Sequence, residues 1–103
     1  MTEPLILNEA QYAVLRTLHQ LGGQRRRIDR VVLLDTAAAS SLFSRERLSQ
    51  ALVELQRLRL LFADVSDRIL VARGVQLRVG TDRASISAYR EPDGGARIVI
   101  PQI

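Results

Sequence analysis

The sequence predicts an α+β fold in which three helices are followed by two β-hairpins. Apolar residues recur at helical spacing in two segments of the first 60 residues, with a shorter apolar segment between them. After Leu60 the pattern changes to short apolar runs separated by polar turns, which is typical of strands. We expect one domain over residues 1–103, with a core at 8–74 and a β extension at 75–103.

The composition limits the class of protein. Hydrophobic residues make up 47% of the chain and aromatic residues 4%, so the core is expected to consist of Leu, Val, Ile and Ala. No apolar run is long enough for a transmembrane helix, and the acidic N-terminal segment is unlike a signal peptide. The absence of cysteine excludes disulfides and thiolate metal sites, and a cytoplasmic location is the default expectation.

The net charge is +4, which suits a polyanionic partner such as nucleic acid. All fifteen basic residues are arginine. A genome rich in G and C produces the same bias, so a basic surface without a nucleic-acid partner is the alternative interpretation.

The first helix is predicted after Asn8, a typical N-cap residue. Tyr12, Leu15 and Leu18 lie at helical spacing, and the Gly22–Gly23 pair ends the helix. The apolar residues 5–7 are expected to pack ahead of this helix or to form a short edge strand.

The second helix is predicted after Asp29 as N-cap, with a one- or two-residue strand at Ile28. Residues 31–34 are too continuously apolar for a solvent-facing helix. We therefore expect this segment to be well buried or partly extended. Leu42 and Phe43 are expected to return to the core.

The third helix begins after Ser44, an N-cap residue type, and spans about residues 44–60. Its buried face is predicted from leucine and alanine spacing, at Leu48, Ala51, Leu52, Leu55 and Leu58. The opposite face carries Glu46, Ser49, Gln50, Val53 and Arg57. Arg59 would project onto the buried face, so the helix is expected to loosen or end near there.

Two hairpins are predicted after the helices. The first joins residues 61–65 and 69–72 around Ser66, Asp67 and Arg68. Asp64 and Asp67 are interpreted as turn acids. Apolar and polar residues alternate in the VQLRV segment at 75–79, which predicts a strand; a short fourth helix is the other interpretation. The second hairpin spans about residues 85–100 around the turn residues 92–95.

From about Asn8 to Gly74 the chain resembles a winged helix-turn-helix domain of bacterial or phage type. The segments that carry the resemblance are VLRTLHQLGG, SRERLSQALVELQRLRLLFADV and RILVARG. The exit from the third helix lacks the glycine usual in that family. The resemblance implies a three-helix winged helix-turn-helix core, with the first hairpin as the wing and the second as an additional C-terminal hairpin.

The resemblance also implies a function, namely that of a small DNA-binding protein that acts as a transcriptional regulator and could form a homodimer. The helix at 44–60 would enter the major groove of double-stranded DNA. Arg45, Arg47 and Gln50 are the candidates for base contacts. The candidates for phosphate contacts are Ser44, Ser49 and Arg57, with Arg68 at the wing tip and Arg25, Arg26 and Arg27 flanking the second helix.

Other interpretations of the same residues remain open. Glu46 and Glu54 on the third helix would repel phosphate, and Glu54 is spaced to pair with Arg57. The acids and the apolar Val53 favour the alternative of a winged-helix protein-interaction module, an accessory phage or mobile-element protein that does not bind DNA. Ser44 serves as a helix cap in either case.

No residues suggest an enzyme or a cofactor site. His19 is the only histidine, which is insufficient for a standard metal site without clustered partners. No nucleophile or acid–base grouping is present in the sequence. We therefore expect no catalytic residue, metal or cofactor. The C-terminal hairpin is expected to leave an edge strand that could pair across a dimer.

Overall fold

The computed structural model describes residues 3–80 and 87–100. Over these ranges the chain forms three helices and seven strands in two sheets, which confirms the predicted α+β class. The helices are α1 Glu9–Gln20, α2 Arg30–Ser40 and α3 Arg45–Arg57. The strands are β1 Glu3–Pro4, β2 Ile28–Asp29, β3 Leu61–Ala63, β4 Arg68–Val71, β5 Val75–Val79, β6 Ser87–Arg90 and β7 Ala96–Ile100.

Helix α1 begins and ends where local sequence predicts. The Asn8 side chain accepts a hydrogen bond from the Gln11 backbone N–H at 2.8 Å, and the Gln11 side chain accepts one from the Asn8 N–H at 2.9 Å. This reciprocal capping box satisfies two backbone donors that have no partner within the helix. Gly22 has a φ of 83°, so a residue without Cβ follows the helix end.

Helices α2 and α3 are each capped by the predicted residue. The Asp29 side chain accepts from the Val31 N–H at 2.9 Å, and the Ser44 side chain accepts from the Arg47 N–H at 3.1 Å. Helix α3 ends at Arg57, and Arg59 adopts a φ of 61° that turns the chain away from the helix. The predicted end of this helix near Arg59 is therefore confirmed.

The three-stranded sheet has the order β2-β4-β3 and is antiparallel throughout. Leu61 pairs with Val71 and Ala63 with Ile69, which confirms the first predicted hairpin. Ile28 pairs with Ile69 from the other side, which confirms the predicted short strand. Ile69 is fully buried because it is the central position of this sheet.

The four-stranded sheet has the order β1-β6-β7-β5. Strands β6 and β7 form the second predicted hairpin within the described residues, while predicted positions 85 and 86 lie outside them. Strand β5 pairs parallel with β7, from Val75 beside Ala96 to Val79 beside Ile100. The VQLRV segment is thus a strand, and the alternative of a fourth helix is wrong.

Neither strand of the C-terminal hairpin is an edge of its sheet. Strand β1 covers β6, and β5 covers β7, so the expectation of an edge strand from this hairpin is wrong. Of the two alternatives for residues 5–7, packing ahead of α1 is confirmed for Leu5 and Leu7, which contact the core, while the edge strand is formed by Glu3 and Pro4. The Leu5 N–H continues the ladder by donating to the Ala88 carbonyl at 2.7 Å.

One continuous hydrophobic core joins both sheets and all three helices. Helix α1 is central to it, because it packs against α2, α3, β5 and β7. The fully buried large side chains come from every layer of the molecule: Val14, Leu15, Leu18, Leu33, Leu48, Leu52, Leu55, Leu60, Leu61, Ile69, Ile98 and Ile100.

The burial of the second helix differs from the prediction. Residues 31–34 are helical, but only Leu33 and Leu34 are buried, while about half of the surface of Val31 and Val32 is exposed. Four consecutive residues span most of the circumference of a helix, so a helix in the surface layer cannot bury all of them. Leu42, expected in the core, is fully exposed in the turn before α3, whereas Phe43 packs against the core as predicted.

Candidate nucleic-acid interface

An open cleft lies along α3 on the side that faces α2. Its volume is about 590 Å³. Five of its lining residues belong to α3, and one belongs to α2; they are Arg45, Glu46, Ser49, Gln50, Val53 and Leu34. Leu48, Leu52 and Leu55, on the opposite face of α3, are buried in the core, which leaves the face that lines the cleft open to solvent.

Two of the three predicted base-reading side chains line this cleft. Arg45 and Gln50 belong to the lining, with both residues exposed. Arg47 does not belong to it. Its guanidinium lies 3.8 Å from the Glu54 carboxylate, which in turn accepts a hydrogen bond from the Gln11 side chain of α1 at 3.3 Å.

Glu54 does not pair with Arg57, its predicted partner, but with another arginine of the same helix. Glu54 pairs with Arg47, seven residues before it, rather than with Arg57. Positions seven apart are about two turns apart on the same face, so a long arginine side chain can span them. Arg57 stays exposed at the last turn of α3.

Arg30 joins α2, α3 and the first hairpin, and sequence reasoning did not select it. Its guanidinium donates to the Ser49 hydroxyl at 3.2 Å and lies 3.8 Å from the Asp67 carboxylate. Its backbone N–H also donates to the Asp67 carbonyl at 3.2 Å. The only local signal for this residue is its position directly after the Asp29 cap, where a long side chain can reach neighbouring elements.

The turn of the first hairpin is organised by Asp64. One carboxylate oxygen accepts hydrogen bonds from the Ser66 and Arg68 N–H groups at 2.9 and 3.0 Å. The other oxygen lies 3.1 Å from Arg27 and 3.3 Å from Arg68. The hydrogen bond from the Arg68 N–H is the largest cause that lowers the pKa of Asp64, followed by the Ser66 N–H and the two guanidinium groups.

Several of the arginines predicted to contact phosphate, in the loop at 25–27 and at position 68, thus bind other groups within the protein. Arg68 is the first residue of β4, with its guanidinium on Asp64, and the tip itself is formed by residues 65–67. Arg27 shares the same carboxylate, and Arg26 donates to the Leu21 carbonyl at 3.0 Å. Arg25 is exposed.

Charges on this side of the molecule nearly cancel. Five arginines each lie 2.9 to 3.8 Å from a carboxylate, and they are Arg27, Arg30, Arg45, Arg47 and Arg68. The shortest of these pairs joins Arg45 of α3 to Asp35 of α2 at 2.9 Å. Glu46 adds a further negative charge to the cleft. The side of the molecule that contains α2, the first half of α3 and the hairpin turn is therefore close to neutral.

Other kinds of site have little support in the described part of the chain. Within residues 3–80 and 87–100, no three His, Asp or Glu side chains come together as metal ligands. None of the described helices combines the length and apolar character that crossing a bilayer requires. Searches with this sequence and structure found no matching family model, curated protein or solved structure.

Proposed function

We propose that this chain is a winged helix-turn-helix protein that binds double-stranded DNA with α3 in the major groove. The observation that carries the proposal is the order of elements α1-β2-α2-α3-β3-β4, with β2 completing a three-stranded sheet. This order puts an exposed helix face beside a short β-hairpin, the pair of elements with which a winged helix contacts a groove and its flanking backbone.

In the proposed complex, Arg45 and Gln50 contact base edges. Arginine matches the two acceptors of guanine, and glutamine matches the donor and acceptor of adenine. Ser49 and Arg57 contact phosphates on either side of the groove. Ser44 caps the first turn of α3 by accepting a hydrogen bond from the Arg47 N–H.

The ion pair between Arg45 and Asp35 sets how strongly this face can attract DNA. More than half of each side chain is exposed, and such surface pairs contribute roughly 0–1 kcal/mol. A base edge can therefore replace Asp35 as the partner of Arg45 at small cost. The remaining carboxylate, however, repels nearby phosphates, so we expect binding to generic DNA to be weak and strongly dependent on salt.

The test measures binding to a labelled generic duplex between about 50 and 200 mM salt, a range over which phosphate contacts have a large effect. Arg45→Gln is expected to weaken binding, and Asp35→Asn to strengthen it because the substitution frees Arg45 and removes a negative charge. Gln20→Ala, on the far end of α1, is the control. No binding of the wild-type chain at the lowest salt concentration would contradict the proposal.

The second candidate is a winged-helix module that binds protein instead of DNA. The exposed apolar surface of α2 and the neighbouring turns favours it, because Val31, Val32, Leu42 and Val65 all face solvent. If a second copy of the chain is the partner, light scattering should show a dimer that Val32→Glu converts to monomer. A monomer at every protein concentration, together with salt-dependent DNA binding, would count against this candidate.

A further inference from the structure

Four arginines that have no carboxylate partner among the described residues lie at or beside the C-terminal end of α3. Arg57 and Arg59 flank the last residues of the helix, and both are exposed. Arg73 follows β4 and is also exposed. Arg90 of β6 reaches the same place, since its guanidinium donates to the Leu58 carbonyl. We refer to Arg57, Arg59, Arg73 and Arg90 as the arginine end.

Backbone pairing brings these residues together from three separate segments. The Ala72 N–H donates to the Leu60 carbonyl at 3.0 Å, so Arg59 and Arg73 each lie one residue beyond this pair. Arg90 also donates to the Gly94 carbonyl at 3.2 Å, so carbonyl oxygens rather than carboxylates hold its guanidinium in position.

The carboxylates close to the arginine end in sequence are engaged with other groups. Glu91 lies 3.0 Å from Arg97, and the Asp93 side chain accepts a hydrogen bond from the Gly95 N–H at 2.9 Å. Glu54, one turn before the end of α3, pairs with Arg47. Among the described residues, four arginines without a carboxylate partner therefore lie at this end of α3, whereas the opposite end of α3 is nearly neutral.

We propose that the arginine end binds backbone phosphates of the same DNA duplex whose major groove α3 enters. This inference rests on the proposed function. A helix of 13 residues is about 20 Å long, whereas the major groove is about 12 Å wide. A helix with its N-terminal half in the groove therefore extends far enough for its C-terminal end to reach a phosphate strand.

The chemistry of the arginine end suits phosphate. Guanidinium groups present planar pairs of donors that match two phosphate oxygens. Phosphate contacts supply most of the sequence-independent affinity of DNA-binding proteins. In this arrangement the nearly neutral N-terminal half of α3 contacts bases, and the arginine end supplies the electrostatic attraction that the other half lacks.

The experiment measures the salt dependence of binding to the generic duplex for Arg59→Gln, Arg73→Gln and the double variant. Each single substitution is expected to reduce the slope of log K against log salt by about 0.9, and the double variant by about 1.8. Arg78→Gln is the charge-matched control, because Arg78 is an exposed arginine farther along β5. Arg59 has a positive φ of 61°, and glutamine, like arginine, has a side chain with a Cβ, so the substitution changes the backbone preference at position 59 little.

The outcomes separate this inference from the proposed function. A reduced slope in the Arg59 and Arg73 variants with no effect of Arg45→Gln supports the phosphate contacts of the arginine end and overturns the base contact assigned to Arg45. An effect of Arg45→Gln alone overturns the inference and leaves the proposed function standing. Binding to poly-glutamate without binding to duplex overturns both in favour of an acidic protein partner. Equal slopes for Arg78→Gln and the Arg59 and Arg73 variants also overturn the inference.

Discussion

Asp64 shows how a single side chain connects the hairpin turn to the rest of the protein. Its side chain is only 13% exposed, although it belongs to a surface turn. It accepts two backbone hydrogen bonds within the turn and lies beside Arg27 from the preceding loop. The sequence indicates a turn acid at this position, but not the arginine from 37 residues earlier in the chain, because that contact depends on the pairing of β2 with β4.

The lowered pKa of Asp64 predicts an acid-dependent loss of stability. A carboxyl group whose pKa is lower in the folded state stabilises the fold above its ordinary pKa of 3.8, and this contribution is lost as pH falls through the lower folded-state pKa. Asp64→Ala should therefore reduce the free energy of unfolding at neutral pH, and its difference from wild type should shrink below about pH 4. Urea unfolding at a series of pH values measures both effects.

Asp35→Ala serves as the control for this measurement, because it also removes a carboxylate paired with arginine, but one that is 61% exposed. We expect a much smaller loss of stability at neutral pH for the control. Equal losses for the two variants would show that the hydrogen bonds within the turn contribute nothing beyond an ordinary surface ion pair.

At the scale of elements, Gln24 protects an edge of the four-stranded sheet. Its side-chain amide donates to the Val75 carbonyl at 3.1 Å and accepts from the Leu77 N–H at 2.9 Å. These two bonds imitate those that a neighbouring strand would make along β5. An edge strand with free backbone groups is a template for pairing with another chain, so a side chain that occupies those groups limits such pairing.

Gln24→Ala is predicted to destabilise the protein and to expose β5. A partly buried N–H or C=O group that loses its partner costs about 1–3 kcal/mol unless water replaces that partner. We expect a lower urea midpoint together with increased association in light scattering. Gln20→Ala, on the exposed end of α1, should change neither quantity. Unchanged stability and mass for Gln24→Ala would mean that water satisfies the edge equally well.

At the scale of the whole molecule, the two sheets share one core through α1. Leu15 and Leu18 of α1 belong to the same cluster as Leu52 of α3 and Ile98 of β7. The segment after Gly74 is therefore packed against the helices rather than attached as an independent hairpin. Strand β1 reinforces this arrangement, because residues before α1 pair with β6 near the other end of the chain.

We predict that Ile98→Ala destabilises the helices as much as the sheet to which Ile98 belongs. Truncation of a fully buried isoleucine typically costs about 2–5 kcal/mol. Because the core is continuous, hydrogen exchange should show the same loss of protection in α3 as in β7. Val99→Ala, at a half-buried position on the same strand, should have a smaller effect. Unchanged protection in α3 would contradict the idea of a single cooperative unit.

The predictions from sequence succeeded where the deciding interactions are local. Asn8, Asp29 and Ser44 cap the three helices as predicted, because a cap depends on residues only two or three positions away. The two hairpins follow from turn residues between apolar runs in the same way. Val31, Val32 and Leu42 are exposed, contrary to the expectation of a well-buried or partly extended segment at 31–34 and a buried Leu42, because hydrophobicity does not reveal which side of a helix or turn has a packing partner.

In the candidate interface, too, the features set by local spacing were predictable and the contacts between distant residues were not. Spacing along α3 correctly separates the buried leucines from the opposite face, which contains the half-buried Ser49 and the exposed Gln50. It does not reveal that Arg45 faces Asp35 of α2, or that Arg90 reaches the end of α3 from the second sheet. These contacts join residues 10 and 32 positions apart and exist only once the elements have packed.

The helices, their ends, the change to strands after Leu60 and the α+β class therefore follow from the amino-acid order, because each depends on interactions within one or two turns of the chain. The order of strands in both sheets, the parallel pairing of β5 with β7 and the separation of neutral and positive surfaces arise only in the folded molecule. The physical reason is that long-range pairing and packing select among arrangements that local spacing leaves equally possible.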